Sequence, residues 1–384
     1  MTEGAEGLTW TLIAWLLVML TIPGVALFYG GMVRRKNAIS TMGLPFVALI
    51  VVSLGGLLAA LGGSFGSWKP LASPEGRAGI LQAFGGALAL SLVAGSLVER
   101  LRFWFFLLFG FLWSSVVYSS LVSWVWRDGW LARLGALDYA GGAVIHIAAG
   151  VTALVAALAV GPRAGFGRVE MRPNHLPLAL CGAGLLWVGW CGFAAGHGAS
   201  SLRTATGALV AIHVAAAASG LSWTAVEWLQ RDKPTALGTV SGIVAGLVAI
   251  APAAGYVTAP AAIVIGAGAG GLCYMVVNFV KPILGYDDSL DVFGMHAVGG
   301  AWGMLAVGLF ATTTVNPDGS DGLFYGYPYL FMAQVAAVVT ACLVSGALSW
   351  ALIWIMRKVM PARVEAEAEV IGLDLAQHGE RAYS

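Results

Sequence analysis

Residues 234–280 read PTALGTVSGIVAGLVAIAPAAGYVTAPAAIVIGAGAGGLCYMVVNFV and contain no Asp, Glu, Lys or Arg. A helix of about 20 apolar residues crosses the hydrocarbon core of a bilayer, so this segment is long enough for two crossings. Residues 103–126 form another such segment. The whole chain is 59% hydrophobic and 10% charged, whereas soluble domains carry about 25% charged residues. The sequence therefore predicts a polytopic α-helical membrane protein.

Eleven membrane spans are predicted when charged residues and clusters of Pro, Gly, Asn and Asp are taken as separators. The predicted ranges are 8–33, 39–63, 79–98, 103–126, 141–161, 176–196, 204–229, 236–254, 258–280, 290–312 and 328–356. The first is expected to be a retained span rather than a signal peptide, because Arg34, Arg35 and Lys36 follow it in place of a small-residue cleavage site. The predicted fold class is an all-α membrane protein in a lipid bilayer.

Basic residues lie mostly on one side of this predicted topology. Fifteen of the 20 Lys and Arg fall on the side of the C-terminus. The other five are Lys69, Arg77, Arg127, Arg133 and Arg203. By the positive-inside rule, the sequence predicts a plasma (inner) membrane protein with its N-terminus outside and its C-terminus in the cytoplasm. A formal net charge of +1 does not indicate a nucleic-acid partner.

The predicted spans divide into two halves and one extra helix. An odd count gives spans 1–5 and 6–10 opposite orientations, as an inverted repeat with a substrate path between its halves requires. The halves echo each other, since Asp138 precedes His146 and Asp291 precedes His296. Most of the 53 glycines fall within spans, which indicates close helix packing, because small residues let backbones touch in lipid.

Three of the six histidines are predicted in spans, where an ionisable group usually marks a substrate path. His146 and His296 occupy equivalent positions in the two halves, which favours a functional pair. His213 has no repeat partner and is expected to pack on a neighbouring helix. Two neutral imidazoles that share a hydrogen bond can relay a proton. Ammonium can give its proton to such a pair and cross as the neutral amine, whereas an alkali cation cannot.

Two further side chains stand near the outer face. Trp126 ends span 4, where its ring can hold a cation by about 0.5–2 kcal/mol or serve as an interfacial belt residue, as many of the 15 Trp do. Asp138 can attract cations or cap the N-terminus of span 5, and the cap is favoured, with a field effect on the pore second. The four cysteines lie singly, so no metal, cofactor or disulfide is predicted.

Six short motifs then follow one another along the chain. They are IPGVALFYGGMVRRKN (22–37), ERLRF (99–103), GALDYAGGAVIHIAAG (135–150), NHLP (174–177), GYDDSLDVFGMHAVGG (285–300) and GLDLAQHGERAYS (372–384). With these motifs the chain resembles the bacterial members of the ammonium transporter (Amt) family over nearly its whole length. The resemblance implies a homotrimer with one pore per subunit, an inverted repeat plus an eleventh helix, and a twin-histidine pore.

The resemblance also implies a role for individual positions. It matches the pore histidines to His146 and His296, the outer cation-site tryptophan to Trp126, the buried acid to Asp138, the inner phenylalanine gate to Phe193 and the neighbouring pore tryptophan to Trp190.

The chain departs from the family pattern at the outer gate. A second phenylalanine is usual in span 3. Counting back from Glu99 without gaps places Gly85 at that position. Phe84 is adjacent, but neighbouring residues of a helix point about 100° apart, so its ring would face a different direction. Where a serine hydroxyl is usual, GWCGFAAGHG (189–198) has His197, and Ala194 stands where an amide is common. These changes can open the vestibule, make recruitment pH-sensitive, mark a loss of transport or reflect drift in a redundant paralogue.

The sequence thus predicts a membrane domain over residues 1–360 and a cytoplasmic regulatory tail over 361–384. The tail is too short to fold alone, so it either docks or stays solvated. The resemblance implies that it packs on the subunit undersides and binds a PII-type signalling protein.

Ammonium transport is the leading functional hypothesis, and a non-transporting ammonium receptor that signals through the tail is its rival. A Rhesus-type pore for neutral gas is disfavoured by Trp126. An enzyme is not predicted, because no nucleophile elbow, phosphate loop or metal cluster occurs in the sequence.

Overall fold

The computed structural model of the chain describes residues 3–62, 74–126, 128–198 and 201–383. Residue 63 at the end of the second predicted span, Lys69, Arg127, the Arg77 side chain and Ser384 lie outside the description.

The described part of the first half of the chain is helical. Its helices are α1 Glu3–Val18, α2 Thr21–Met32, α3 Ala38–Gly62, α4 Pro74–Leu97, α5 Phe103–Trp113, α6 Ser119–Val125, α7 Trp130–Arg133 and α8 Ala148–Val160, with a 3-10 turn at Arg35–Asn37. The first predicted span is broken between α1 and α2. Pro23 sits in the first turn of α2, where the missing N–H costs no helix hydrogen bond.

The second half repeats this pattern. Its helices are α9 Leu176–His197, α10 Leu202–Arg231, α11 Ala236–Ile250, α12 Ala259–Met275, α13 Lys281–Leu284 and α14 Val298–Phe310, followed by a 3-10 turn at Leu323–Tyr325, the last membrane helix α15 Pro328–Met356 and the tail helices α16 Ala366–Ile371 and α17 Leu373–His378. Ser201, Thr235 and Thr258 start α10, α11 and α12, because each side-chain oxygen accepts from the N–H three residues on.

The count of spans agrees closely with the prediction. Within the described ranges, ten helical runs are long and apolar enough to cross a membrane, and α11 is a shorter apolar helix of 15 residues. The eighth predicted span, 236–254, is therefore shorter than expected. The helix ends just before Pro252, as helices usually do ahead of a proline. Residues 251–255 continue as buried turns.

Four π-helical segments relate the two halves. They are Ser114–Tyr118, Gly142–Ile147, Val276–Val280 and Phe293–Ala297. The first two fall in predicted spans 4 and 5, and the last two fall in spans 9 and 10, which correspond to them in the repeat. A π turn is rare and frequently marks a functional site. Each half therefore carries the same two irregular turns at the same two spans.

Glycines let neighbouring helices approach closely, both between the halves and within one half. A Cβ added at Gly182 of α9 would lie on the backbone nitrogen of Phe28 in α2, and one at Gly266 of α12 would lie on the carbonyl of Ala215 in α10. These glycines lie inside helices rather than in turns. Their role is the close packing that the composition indicates.

A buried ion cluster joins the loops on one face of the bundle, here called the basic face. Glu99 binds Arg34 (Oε2–Nη2 2.9 Å) and Arg163 (3.0 Å). Arg163 also pairs with Asp287 at 2.7 Å, and Arg100 approaches the same carboxylate at 3.6 Å. These loops follow spans 1, 3, 5 and 9, so the structure groups on one face the residues that the charge count placed on one side.

The C-terminal tail packs against the basic face. The Asp374 carboxylate accepts hydrogen bonds from the backbone N–H of Ile39 (3.1 Å) and Ser40 (2.8 Å) at the start of α3. Gln377 donates to the carbonyl of Leu101 at 3.0 Å. The tail is therefore docked on its own subunit rather than solvated.

Glu99→Gln is expected to lower the free energy of unfolding by about 3–5 kcal/mol, because it leaves the arginines of a buried cluster without their compensating charge. The matched control is Glu170→Gln, which removes an exposed pair with Arg172 and is expected to change nothing measurable. Thermal unfolding in detergent at neutral pH compares the variants. Equal melting temperatures for the two variants would show that the cluster does not stabilise the fold.

The difference should depend on pH. Burial acts to raise the pKa of Glu99, but hydrogen bonds from Arg34 and the charges of Arg163 and Arg34 outweigh it and hold the pKa below its usual range. A depressed folded-state pKa contributes stability above the unfolded pKa and loses it as the pH falls through the folded pKa. The gap between wild type and Glu99→Gln should therefore shrink in acid.

Candidate functional site

Three aromatic rings stack inside the bundle where its halves meet. The ring of His146, in the π segment Gly142–Ile147, lies 5.3 Å from that of Trp190 with the planes 8° apart. The ring of His296, in the π segment Phe293–Ala297, lies 5.4 Å from that of His146 at 24°. His146 is 1% exposed, Trp190 is 2% exposed and His296 is 4% exposed. The stack is therefore closed to bulk water.

The stack carries polar atoms without partners. Nδ1 of His146, Nδ1 of His296 and Nε1 of Trp190 are buried and make no hydrogen bond to the described part of the chain. The shared imidazole hydrogen bond considered above does not form here, because neither Nδ1 has a hydrogen-bond partner among the described residues. Leaving a buried polar atom unpaired costs about 1–3 kcal/mol. Three such atoms lie together here, so the stack has hydrogen-bonding capacity that the described protein does not use.

Asp138 fixes the turn that presents His146. Its carboxylate accepts hydrogen bonds from the backbone N–H of four residues in the first turn of the π segment. The distances are 2.8 Å from Gly141, 2.6 Å from Gly142, 2.8 Å from Ala143 and 3.3 Å from Val144. The geometry is that of a helix cap, which leaves the carboxylate committed to the backbone.

Asp288 is the counterpart of Asp138 in the second half. Its Oδ2 accepts from the N–H of Phe293 at 2.7 Å, five residues on, as Asp138 accepts from Ala143. Each of these carboxylates precedes the histidine of its half by eight positions. The two histidine turns are therefore capped from the same position. Asp138 uses both carboxylate oxygens, whereas Asp288 uses Oδ2 and its Oδ1 has no partner among the described residues.

The structure corrects the echo between Asp291 and His296. Asp291 adopts a left-handed backbone conformation (φ 61°) and pairs with Lys281 at 2.5 Å instead. Five positions separate Asp291 from its histidine, whereas the repeat requires eight.

Burial raises the pKa of Asp288 to about 6, although the charge of Lys281 acts against the shift.

An aromatic cluster lies at the end of the bundle opposite the tail. The ring of His197 lies 5.5 Å from that of Trp126, 6.0 Å from that of Tyr139 and 4.6 Å from that of Phe193. The Trp126 indole donates to the carbonyl of Asp138 at 2.7 Å, which ties the cluster to the cap. Sequence reasoning placed Trp126, Phe193 and His197 in one outer site, and the structure brings the three together.

The hydrogen bond of His197 defines its tautomer. Nδ1 lies 2.9 Å from the carbonyl oxygen of Phe193. A carbonyl only accepts, so Nδ1 carries the proton and Nε2 of the neutral ring keeps its lone pair. The carbonyl of Ala194 accepts from the Tyr139 hydroxyl at 3.0 Å, which anchors the neighbouring ring. His197 can therefore offer an acceptor where the family pattern has a serine hydroxyl.

Gly85 lies beside Phe193, as expected for the position where the family pattern has its second phenylalanine. A Cβ added there would lie 3.3 Å from Cζ of Phe193, 3.1 Å from Ile145 and 2.9 Å from the Tyr118 hydroxyl. The space next to Gly85 is thus filled by neighbours rather than opened. Phe84 is half-buried against the core, and among the described residues the ring that meets Phe193 is that of His197.

Sequence reasoning missed Tyr118, Tyr139 and Asp288. Asp288 could have been found from the equal eight-residue spacing, and Tyr139 from its place next to Asp138. Nothing in the sequence singles out Tyr118, because its proximity to Gly85 depends on how spans 3 and 4 cross.

His213 lies apart from His146 and His296. Its ring stacks on that of Trp187 at 5.2 Å and 29°, and the side chain is exposed on α10. It packs on a neighbouring helix, as expected, but by stacking.

Asp138→Ala is expected to lower the free energy of unfolding by at least about 2 kcal/mol, because the N–H groups of a buried helix turn lose their acceptor. Asp318→Ala removes an exposed acid and is the control expected to change little. Thermal unfolding in detergent measures both. Two variants of equal stability would contradict the capping role.

Known proteins resemble this chain over nearly its whole length, in sequence and in fold. The model of the Ammonium Transporter Family matches residues 9–383. An ammonium transporter of Bacillus subtilis (strain 168) is 42% identical over 390 residues, which is 96% of each chain. The crystal structure of Candida albicans Mep2 superposes with a TM-score of 0.87 at 30% identity, over 99% of this chain and 90% of that one.

A further structural relative is a sensor Amt protein. It superposes with a TM-score of 0.88 at 26% identity, over 98% of this chain and 99% of that one. The matched family is one of membrane transporters rather than enzymes, as the sequence predicted. The chain belongs to the ammonium transporter family.

Proposed function

We propose that this chain transports ammonium, as ammonia plus a proton, through a twin-histidine pore formed by His146 and His296. The observation that carries the proposal is the pair of buried Nδ1 atoms without protein partners, set at the same point of both halves. Structural histidines in a core are normally hydrogen-bonded. A nitrogen left unpaired at the junction of the halves is suited to a passing molecule.

The pair gives the pore a chemical filter. A charged ion that enters a dry, low-dielectric passage pays a penalty of several kcal/mol. Ammonium avoids the penalty by giving a proton to an imidazole lone pair and continuing as neutral ammonia. The histidine pair then releases that proton on the inner side and returns to its neutral form. Potassium has no proton to give, so the same passage excludes it. Trp190 is stacked on His146, and its indole N–H donates no hydrogen bond to the described protein. It can therefore donate a hydrogen bond to the lone pair of ammonia.

The outer aromatic cluster is the proposed recruitment site. The Trp126 face offers about 0.5–2 kcal/mol to a cation, and Nε2 of His197 accepts one of the ammonium N–H bonds. Phe193 closes the site toward the histidines as a gate. The other titratable groups nearby are the Tyr139 phenol, neutral at ordinary pH, and Asp138, whose carboxylate is committed to the cap.

The functional unit is proposed to be a homotrimer with one pore per subunit. His213 supports an oligomer, because it is an ionisable side chain exposed on the membrane helix α10, and such a group avoids lipid. A second copy of the chain covers it. The excess of basic residues on the basic face supports a plasma-membrane orientation with that face and the tail in the cytoplasm.

The tail, residues 361–384, is proposed to be regulatory, with a PII-type signalling protein as its partner. Its support is the docking of Asp374 on the start of α3, because a terminal segment docked on the surface of the bundle can be displaced without unfolding the bundle.

A non-transporting ammonium receptor is the second candidate. It is favoured by the similarity to a sensor Amt protein and by Gly85 and His197 at the outer gate. A receptor binds ammonium without passing it on, so flux separates the two functions.

His296→Ala is expected to reduce ammonium-driven current at least about 100-fold, the usual loss when a proton-transfer group is removed. His213→Ala is the matched control, a histidine on a membrane helix outside the pore, and should keep the current. Both are measured in proteoliposomes at equal protein density. Unaltered current in His296→Ala would remove the relay from the mechanism.

His197→Ser is expected to raise the apparent affinity for ammonium at low pH and to leave it similar at high pH. The reason is that a protonated imidazole has lost its acceptor and repels the cation, whereas a hydroxyl does neither. The apparent KM of the current between acidic and alkaline buffers tests this. If neither form changes affinity with pH, His197 is not in the recruitment site.

A further inference from the structure

A groove opens on the flank of the bundle at the basic end of α15. It has a volume of about 350 Å³ and is lined by Ala159, Trp350, Ile353, Trp354, Arg357 and Lys358; these six residues define the α15 groove. Trp350 and Trp354 are four residues apart and lie on one face of α15. Lys358 follows four residues later, in the turn just beyond the end of the helix. The groove therefore runs from apolar, membrane-depth surface to two basic side chains at the end of the helix.

The two basic residues differ from those elsewhere on the basic face. Arg34, Arg163 and Arg363 each pair with a carboxylate, whereas none of the described residues lining the α15 groove is acidic. Arg357 donates to the carbonyl of Ala159 at 2.6 Å, and the Lys358 ammonium lies 3.3 Å from the centre of the Trp354 ring. Both side chains are thus held over the groove with their positive charge uncompensated.

We propose that the α15 groove binds the headgroup of an anionic phospholipid. Its phosphate lies between Arg357 and Lys358, and an acyl chain runs along Trp350 and Ile353 toward the middle of the membrane. The Arg357 guanidinium and the Lys358 ammonium suit phosphate oxygens.

The position of α15 favours lipid over a soluble anion. In the most apolar stretch of α15, 28% of the residues are buried inside the chain, which is the lowest share among the described candidate spans. Trp350 and Trp354 are 52% and 56% exposed, and tryptophan next to basic residues is typical of the boundary between acyl chains and headgroups. Basic pockets between membrane helices on this side bind acidic headgroups. Free phosphate would use only the two charges and leave the apolar length of the groove uncovered.

The test is lipid binding to the delipidated, intact protein by native mass spectrometry. The probes are phosphatidylglycerol, phosphatidylcholine and glycerol 3-phosphate. The variant is Arg357→Gln with Lys358→Gln, and the control is Arg168→Gln with Lys233→Gln, which removes two exposed charges of the same side away from the groove. We expect the variant to bind phosphatidylglycerol about 30-fold more weakly, since its two lost basic residues together contribute about 2 kcal/mol near an anionic headgroup and 1.4 kcal/mol corresponds to a factor of ten. The control should match wild type.

A second readout locates the lipid. Phosphatidylglycerol with brominated acyl chains should quench part of the tryptophan fluorescence, and Trp350→Phe with Trp354→Phe should remove that part. Equal phosphatidylglycerol affinity in variant and control, equally tight binding of phosphatidylcholine by wild type, or unchanged quenching in the tryptophan variant would overturn the proposal. Binding of glycerol 3-phosphate as tightly as of the lipid would overturn the lipid assignment.

Discussion

Inside a bilayer no water satisfies a polar group, so each one must find a partner in the protein or be kept for a purpose. This constraint orders the whole molecule. Asp138 and Asp288 are committed to backbone N–H groups at the start of the two histidine turns. The charges of Glu99 and Arg163 are paired on the basic face. The nitrogens at the centre of the stack are buried polar atoms that are left over, and they lie where the repeat brings the halves together.

The repeat explains why the unpaired atoms meet. Each half bends through a π turn next to its cap, and each turn points one histidine to the junction. Keeping both imidazoles unpaired costs free energy that the surrounding packing offsets, since glycines such as Gly182 and Gly266 let the helices around them close tightly. A site that is costly at rest and satisfied by a small amine is consistent with transport. In the proposed transport, the outer cluster acts before the histidine pair, and His197 supplies a hydrogen-bond acceptor there.

Much of the fold could be predicted from the sequence, because hydrophobic length and charge placement are local properties. The spans, the grouping of basic loops and the cap at Asp138 all follow from them. The early end of α11 could have been predicted from Pro252. The break between α1 and α2 and the relative placement of the two imidazole rings could not, since each depends on backbone turns that tertiary packing selects. The filled space beside Gly85 likewise depends on how Tyr118 crosses from another helix. Of the outer site, residue identities were predictable, whereas the tautomer of His197 required its distance to Phe193.

The most direct test is the transient current of the purified wild-type protein in proteoliposomes after a rapid jump in ammonium, with an equal jump in potassium as the control. A sustained, protein-dependent current with ammonium and none with potassium is the result that a twin-histidine filter predicts. A protein that binds ammonium but gives neither current nor ammonia uptake would contradict transport and favour a receptor. Equal currents with both cations would contradict the filter itself.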